Sequence, residues 1–143
     1  MSISITRRLE FDYGHRVWGH ESKCGHVHGH RGVVDLEVTA RELDKVGRVV
    51  DFSCLKSLVG GWIDEFWDHN MILCESDPLN CDSFAAQHGR KPYIMKQGRN
   101  TTAEYMAEEL FEVARDLLLT WQIFVLSVTI HETPNCKATY RTW

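Results

Sequence analysis

"VVDLEVTARELDKVGRVVDFSCLKSLVGGWIDEF" (residues 33–66) carries two different periods within one short run of chain. In its first eight residues Val34, Leu36, Val38 and Ala40 alternate with Asp35, Glu37 and Thr39. Side chains two apart share one face of a strand, so this is a strand buried on one side only. From Ser53 the period lengthens: Leu55, Leu58, Val59, Trp62, Ile63 and Phe66 form one stripe at helical spacing. Asp51 or Ser53 can cap the helix start. Gly60 and Gly61 inside it cost about 1 kcal/mol each relative to alanine, so packing has to hold the stripe. A half-buried strand followed by an amphipathic helix predicts a sheet covered by helices.

On the N-terminal side, "SISITRRLEF" (2–11) reads as another strand. Towards the C-terminus, residues 74–99 carry two prolines and no sustained period; they read as a long excursion with room for a short strand at "YIM" (93–95). "TTAE" (101–104) has the spacing of a capping box, Thr101 with Glu104, opening a second helix with Met106, Leu110, Val113, Ala114 and Leu117 inward. "IFVLSVTIHE" (123–132) reads as a strand with Phe124, Leu126, Val128 and Ile130 on its core side, and "KATYRTW" (137–143) as a last strand. The order β-β-α-α-β-β predicts an α+β sandwich: an antiparallel sheet with both helices on one face, in a single domain over 1–143.

The composition narrows the function. A net charge of −4 over 143 residues, with scattered basic residues, argues against a nucleic-acid surface. No apolar run reaches the roughly 18–20 residues that span a bilayer, and the N-terminus lacks a signal-peptide stretch. Five cysteines without an export signal and without C-x-x-C predict reduced thiols and a cytoplasmic setting.

Chemistry concentrates in "KCGHVHGH" (23–30). His28 and His30 are two apart and project from one face of an extended chain. His15 ends the first strand, in "FDYGH". If the two strands pair, three imidazoles meet, which is the donor set of an open zinc site. Alternatively, Cys24 completes a closed structural site, or the cluster is a polar loop without a metal. His20, His26 and His88 carry no signal beyond surface histidines. In "WDHN" (67–70), Asp68 can orient and charge His69 only if the chain turns there; a histidine on a helix C-terminal dipole is the plainer reading. Glu132 shares a face with Val128 and Ile130, so its carboxylate must be paired or face a ligand.

Taken together, "FDYGHR", the C-x-x-x-H-G-H of "KCGHVHGH", "GRVVDFSCLK", "WDHN" and "HET" resemble the 6-pyruvoyltetrahydropterin synthase family over almost the whole chain. The short gap from Cys24 to His28 is similar to its bacterial carboxy-type members, the 6-carboxytetrahydropterin synthases of queuosine biosynthesis. The resemblance implies a T-fold (tunnelling fold), whose subunits join their sheets into a barrel as tetramers or hexamers with active sites between subunits. It implies Zn2+ on His15, His28 and His30, with Cys24 as thiolate base and His69 with Asp68 as a second proton-transfer pair. Glu132 would anchor the pterin, with Thr102 and Glu104 near its pocket. The implied reaction converts 7,8-dihydroneopterin triphosphate to 6-carboxy-5,6,7,8-tetrahydropterin, releasing acetaldehyde and triphosphate. A pyruvoyl-type synthase or related side-chain lyase, and a zinc-stabilised pterin- or purine-binding module without turnover, are the competing readings. Three features depart from the family pattern: Thr101 where proline is usual, the long 74–99 excursion, and the extra His26.

Overall fold

The computed structural model describes residues 3–142, so Ser2 and Trp143, at the outer ends of the first and last expected strands, lie outside the described residues. β1 (Ser4–His15) and β2 (His28–Ala40) pair antiparallel in register from Ser4 opposite Thr39 to His15 opposite His28. A first helical segment follows as α1 (Phe52–Leu55), a π-helical stretch (Lys56–Gly60) and α2 (Gly61–Phe66). Asp51 caps it, its carboxylate accepting from the Ser53 backbone N–H at 2.8 Å. Leu55, Val59 and Ile63 are buried as the stripe predicts, whereas Phe66 at its end is exposed.

Then come β3 (Asn70–Leu73), α3 (Ser83–His88), β4 (Tyr93–Ile94), α4 (Ala103–Leu118), β5 (Ile123–Thr133) and β6 (Cys136–Arg141). The six strands form one sheet in the order β4-β3-β1-β2-β5-β6. The four long strands are antiparallel as expected, but β3 runs parallel to β1 and β4 parallel to β3, so the sheet is mixed. β3 has no period of its own to read: four residues emerge straight from a helix and pair with β1 over three positions.

The core lies between the sheet and the helices that cover one of its faces. Leu9, Phe11 and Tyr13 of β1 face it beside Val34, Leu36 and Val38 of β2. Gly32 makes room for this layer: a Cβ there would stand 2.6 Å from the Phe11 ring. On β5 the buried residues are Ile123, Val125, Val128 and Ile130; Phe124 and Leu126 are only half-buried. The cause is a bulge. Ser127 pairs with Glu37 but Val125 with the next residue, Val38, so the extra residue inverts the alternation once.

The second helix starts one residue later than the capping box suggests. Thr102 is the cap, its hydroxyl accepting from the Tyr105 N–H at 3.3 Å. Thr101 is buried and donates instead to the Arg16 carbonyl at 2.6 Å. The inward face of α4 includes Met106, Leu110 and Ala114, with Ala107, Phe111 and Leu118 replacing Val113 and Leu117, which are half-buried. It also buries Glu109.

The 74–99 excursion is ordered by ties back to the scaffold. Arg16 forms a bidentate pair with the buried Asp77. Arg90 donates to the carbonyls of Glu65 and Asp68 at the end of the first helical segment. Gly89 ends α3 at φ +93°, a left-handed conformation that suits glycine. No helix among the described residues is long and apolar enough to cross a membrane.

Candidate functional site

The three histidines meet where β1 and β2 meet. His15 continues the buried phase of Leu9, Phe11 and Tyr13 and lies directly opposite His28, while His30 lies opposite Tyr13. Pairing in this register puts all three rings on the helix-facing side, with centroids 4.6–5.1 Å apart. One nitrogen from each ring falls within 4.8 Å of the others, a spacing that can hold a metal ion.

The hydrogen bonds fix which nitrogens those are. His15 Nδ1 lies 2.9 Å from the Thr101 carbonyl and His28 Nδ1 lies 2.6 Å from the His26 carbonyl. A carbonyl only accepts, so each Nδ1 carries the proton and each neutral ring turns a bare Nε2 lone pair inward. Those two Nε2 atoms stand 3.1 Å apart. His30 Nε2 is buried with no hydrogen-bond partner at all. Burial and the neighbouring imidazoles push His15 down to about 4, and burial likewise lowers His30 against the opposing pull of Glu132. Neutral imidazoles with converging lone pairs are the donor set a divalent cation needs. Zinc–nitrogen bonds of about 2.0–2.1 Å at tetrahedral angles put ligand atoms about 3.3 Å apart, close to the observed spacing.

Glu132 completes the wall. It keeps the phase of Val128 and Ile130, and its Oε1 lies 3.4 Å from His15 Nε2 and 3.7 Å from His30 Nε2. Cys24 sits in a short 3-10 turn (Lys23–Gly25), tied down where its carbonyl accepts from the Val17 N–H. Cys24, Thr102, Glu104 and Glu132 line a cavity of about 290 Å3 with His15 and His28.

Asp68 and His69 are brought together by the turn that their pairing requires. His69 takes a left-handed backbone, φ 54°, and its N–H donates to the Asp12 carbonyl at 2.7 Å. In that conformation its Nδ1 reaches Asp68 Oδ2 at 2.9 Å. A non-glycine residue held at positive φ is strained, and such strain collects at functional positions. The hydrogen bond and charge of Asp68 raise the His69 pKa. Partial burial pushes the Asp68 carboxyl up, but the Asp12 N–H and His69 outweigh it and hold it low. His69 lines a larger cleft, about 760 Å3, with His28 and His30, the excursion residues Leu79, Phe84 and Arg90, and others. Cys24 and His69 therefore occupy different cavities, and both cavities share His28.

Four contributors have no counterpart in the sequence reading. The carbonyls of His26 and Thr101 set the two tautomers, and no sequence pattern marks a backbone oxygen. Asp12 holds the Asp68–His69 turn through its own N–H and C=O, again by backbone alone. Tyr13, which packs 5.1 Å from His15 and 5.6 Å from His30, is in phase with His15 and was legible on that ground.

A mixed sheet backed by helices, with three histidines at the strand ends beside a carboxylate, defines a T-fold protein carrying a metal-type tri-histidine centre. The chain matches the family model described as 6-pyruvoyl tetrahydropterin synthase over residues 4–142, and it belongs to that family. Among curated relatives, the 6-carboxy-5,6,7,8-tetrahydropterin synthase of Rickettsia bellii is 42% identical over 135 residues, 94% of this chain and 96% of that one. An uncharacterized protein of Wolinella succinogenes has a similar structure, with a TM-score of 0.82 at 27% identity over 100% of this chain and 99% of its own. The 6-pyruvoyl tetrahydropterin synthase of Caenorhabditis elegans shares the fold, with a TM-score of 0.70 at 21% identity over 100% of this chain and 97% of that one.

Proposed function

We propose that this chain is a zinc-dependent 6-carboxytetrahydropterin synthase, converting 7,8-dihydroneopterin triphosphate and one water to 6-carboxy-5,6,7,8-tetrahydropterin with release of acetaldehyde and triphosphate. The observation that carries the reading is the trio of inward Nε2 atoms of His15, His28 and His30. The similarity to the Rickettsia enzyme supports the carboxy-type reaction over the pyruvoyl type.

A zinc ion held by the three histidines would act as a Lewis acid towards the side-chain hydroxyls of the substrate. Cys24 would remove a proton as a thiolate, a role that its position on the wall of the smaller cavity supports. His69, paired with Asp68, would return one from the larger cleft, the two groups flanking His28 from different cavities. Glu132 would accept two hydrogen bonds from the aminopyrimidinone edge of the pterin, with Thr102 and Glu104 beside it. Assembly into a barrel with sites between subunits, a cytoplasmic setting and a role in queuosine biosynthesis complete this reading.

Incubation of the purified chain with 7,8-dihydroneopterin triphosphate, followed by mass spectrometry, tests it. The expected products are 6-carboxytetrahydropterin and acetaldehyde. A 6-pyruvoyl product would move the chain to the pyruvoyl-type reaction, and recovery of intact substrate from zinc-loaded protein would remove the enzymatic reading.

A further inference from the structure

Glu132 approaches the histidine nitrogens where a pterin anchor has no need to be. Its Oε1 is within 3.7 Å of two of the three inward Nε2 atoms, and no protein group among the described residues donates a hydrogen bond to it. Carboxylate oxygen and bare imidazole nitrogen are both acceptors, so their convergence is unfavourable unless a cation sits among them. The edges measured are 3.1 Å between His15 and His28, 3.4 Å between His15 and Glu132, and 3.7 Å between His30 and Glu132. These three of the six edges bracket the roughly 3.3 Å edge of a four-coordinate zinc with nitrogen and oxygen ligands. The donors all within 4.8 Å of one another are the three histidines, so the carboxylate closes the remaining distance, to His28, by moving in from the cavity wall.

The backbone explains how the carboxylate gets there. β6 pairs with His131 and then with Thr133, so Glu132 is the extra residue of a second bulge in β5. A bulged residue is released from the ladder and its side chain can be re-aimed. Glu132 is also 26% exposed, on the wall of the smaller cavity, which leaves room for it to move out.

We infer that, in the absence of substrate, Glu132 is the fourth ligand of the metal held by His15, His28 and His30. The carboxylate then has two successive partners. At rest it closes the metal's fourth position; when a pterin enters the smaller cavity, the aminopyrimidinone edge draws it away and that position opens. Ring binding and exposure of the metal are thereby coupled through one side chain, and a ligand lacking the pterin ring leaves the centre closed. This inference rests on the metal reading of the tri-histidine centre.

The test uses the full chain stripped with a chelator and reloaded with Zn2+ or Co2+, without substrate. Zinc affinity is read by competition with a chromogenic chelator, and coordination by the visible ligand-field band of Co2+. Glu132→Ala and Glu132→Gln are compared with wild type and with His28→Ala, and circular dichroism checks folding. For Glu132→Ala the expectation is zinc affinity lower by about tenfold or more and a changed cobalt band, with the fold retained. Glu132→Gln, which keeps size and hydrogen-bonding capacity, is expected to change the cobalt band in the same direction. Affinity and band both unchanged in the two variants, while His28→Ala loses the metal, would overturn this inference and leave the metal reading standing. Failure of wild type to take up either metal would overturn both.

Discussion

At the scale of single residues, Asp68 and His69 show how chemistry depends on one backbone angle. As neighbours on an extended chain they would point apart; the left-handed conformation at His69 lets them pair. Asp68 raises the His69 pKa above its usual value near 6.5, so the imidazolium persists to higher pH. The stabilisation from this pair is complete below about pH 6.5 and is lost as pH rises through the raised value. In the proposed mechanism, the proton that His69 would return is lost over the same range. Asp68→Asn removes the bond and the charge, so the alkaline limb of kcat/KM is expected to move to lower pH and activity at neutral pH to fall by about tenfold or more. An unmoved limb would mean that another group sets it. The side chains of this pair were legible in "WDHN" as residue types, but their contact was not, because nothing in the sequence announces a positive φ at a histidine. The same holds for Thr101, whose position was read as a cap; burial makes its hydroxyl and carbonyl into ties to Arg16 and His15 instead.

Among the elements, the four long strands and the two main helical segments follow from periods of 2 and 3.6 residues. What escaped the sequence has local causes. The bulge at Leu126 exchanged Phe124 and Leu126 for Ile123 and Val125 on the core face, and β3 and β4 are too short to show a period. Glu109 is the clearest case, a carboxylate on the buried face of α4 that no amphipathic pattern would place there. It accepts from Tyr93 Oη at 2.7 Å and the Lys96 N–H at 2.8 Å, with Arg99 3.4 Å away, so α4 holds the end of the excursion. Glu109→Ala would leave the Tyr93 hydroxyl and the Lys96 N–H unpaired while Arg99 keeps Glu112 at 2.8 Å, and is expected to cost about 1–3 kcal/mol in denaturant unfolding. A loss under about 1 kcal/mol would show that the excursion is held by its other ties.

For the molecule as a whole, the sheet and the centre are one construction. The β1–β2 register brings His15, His28 and His30 together, and β5 adds Glu132 from the other side of β2. The sequence supplied the three histidines and their strands, hence the convergence; the larger cleft depends on an excursion whose path no period reveals. Because backbone carbonyls fix the Nδ1 and Nε2 roles of His15 and His28, and the strand register brings His30 beside them, loss of one imidazole is expected to remove the metal and leave the sheet. The most direct measurement is the zinc-to-protein ratio of wild type and His28→Ala after dialysis against excess zinc. About one zinc per chain is expected in wild type and almost none in a folded His28→Ala; equal zinc in the two proteins would mean that the three imidazoles do not hold the metal.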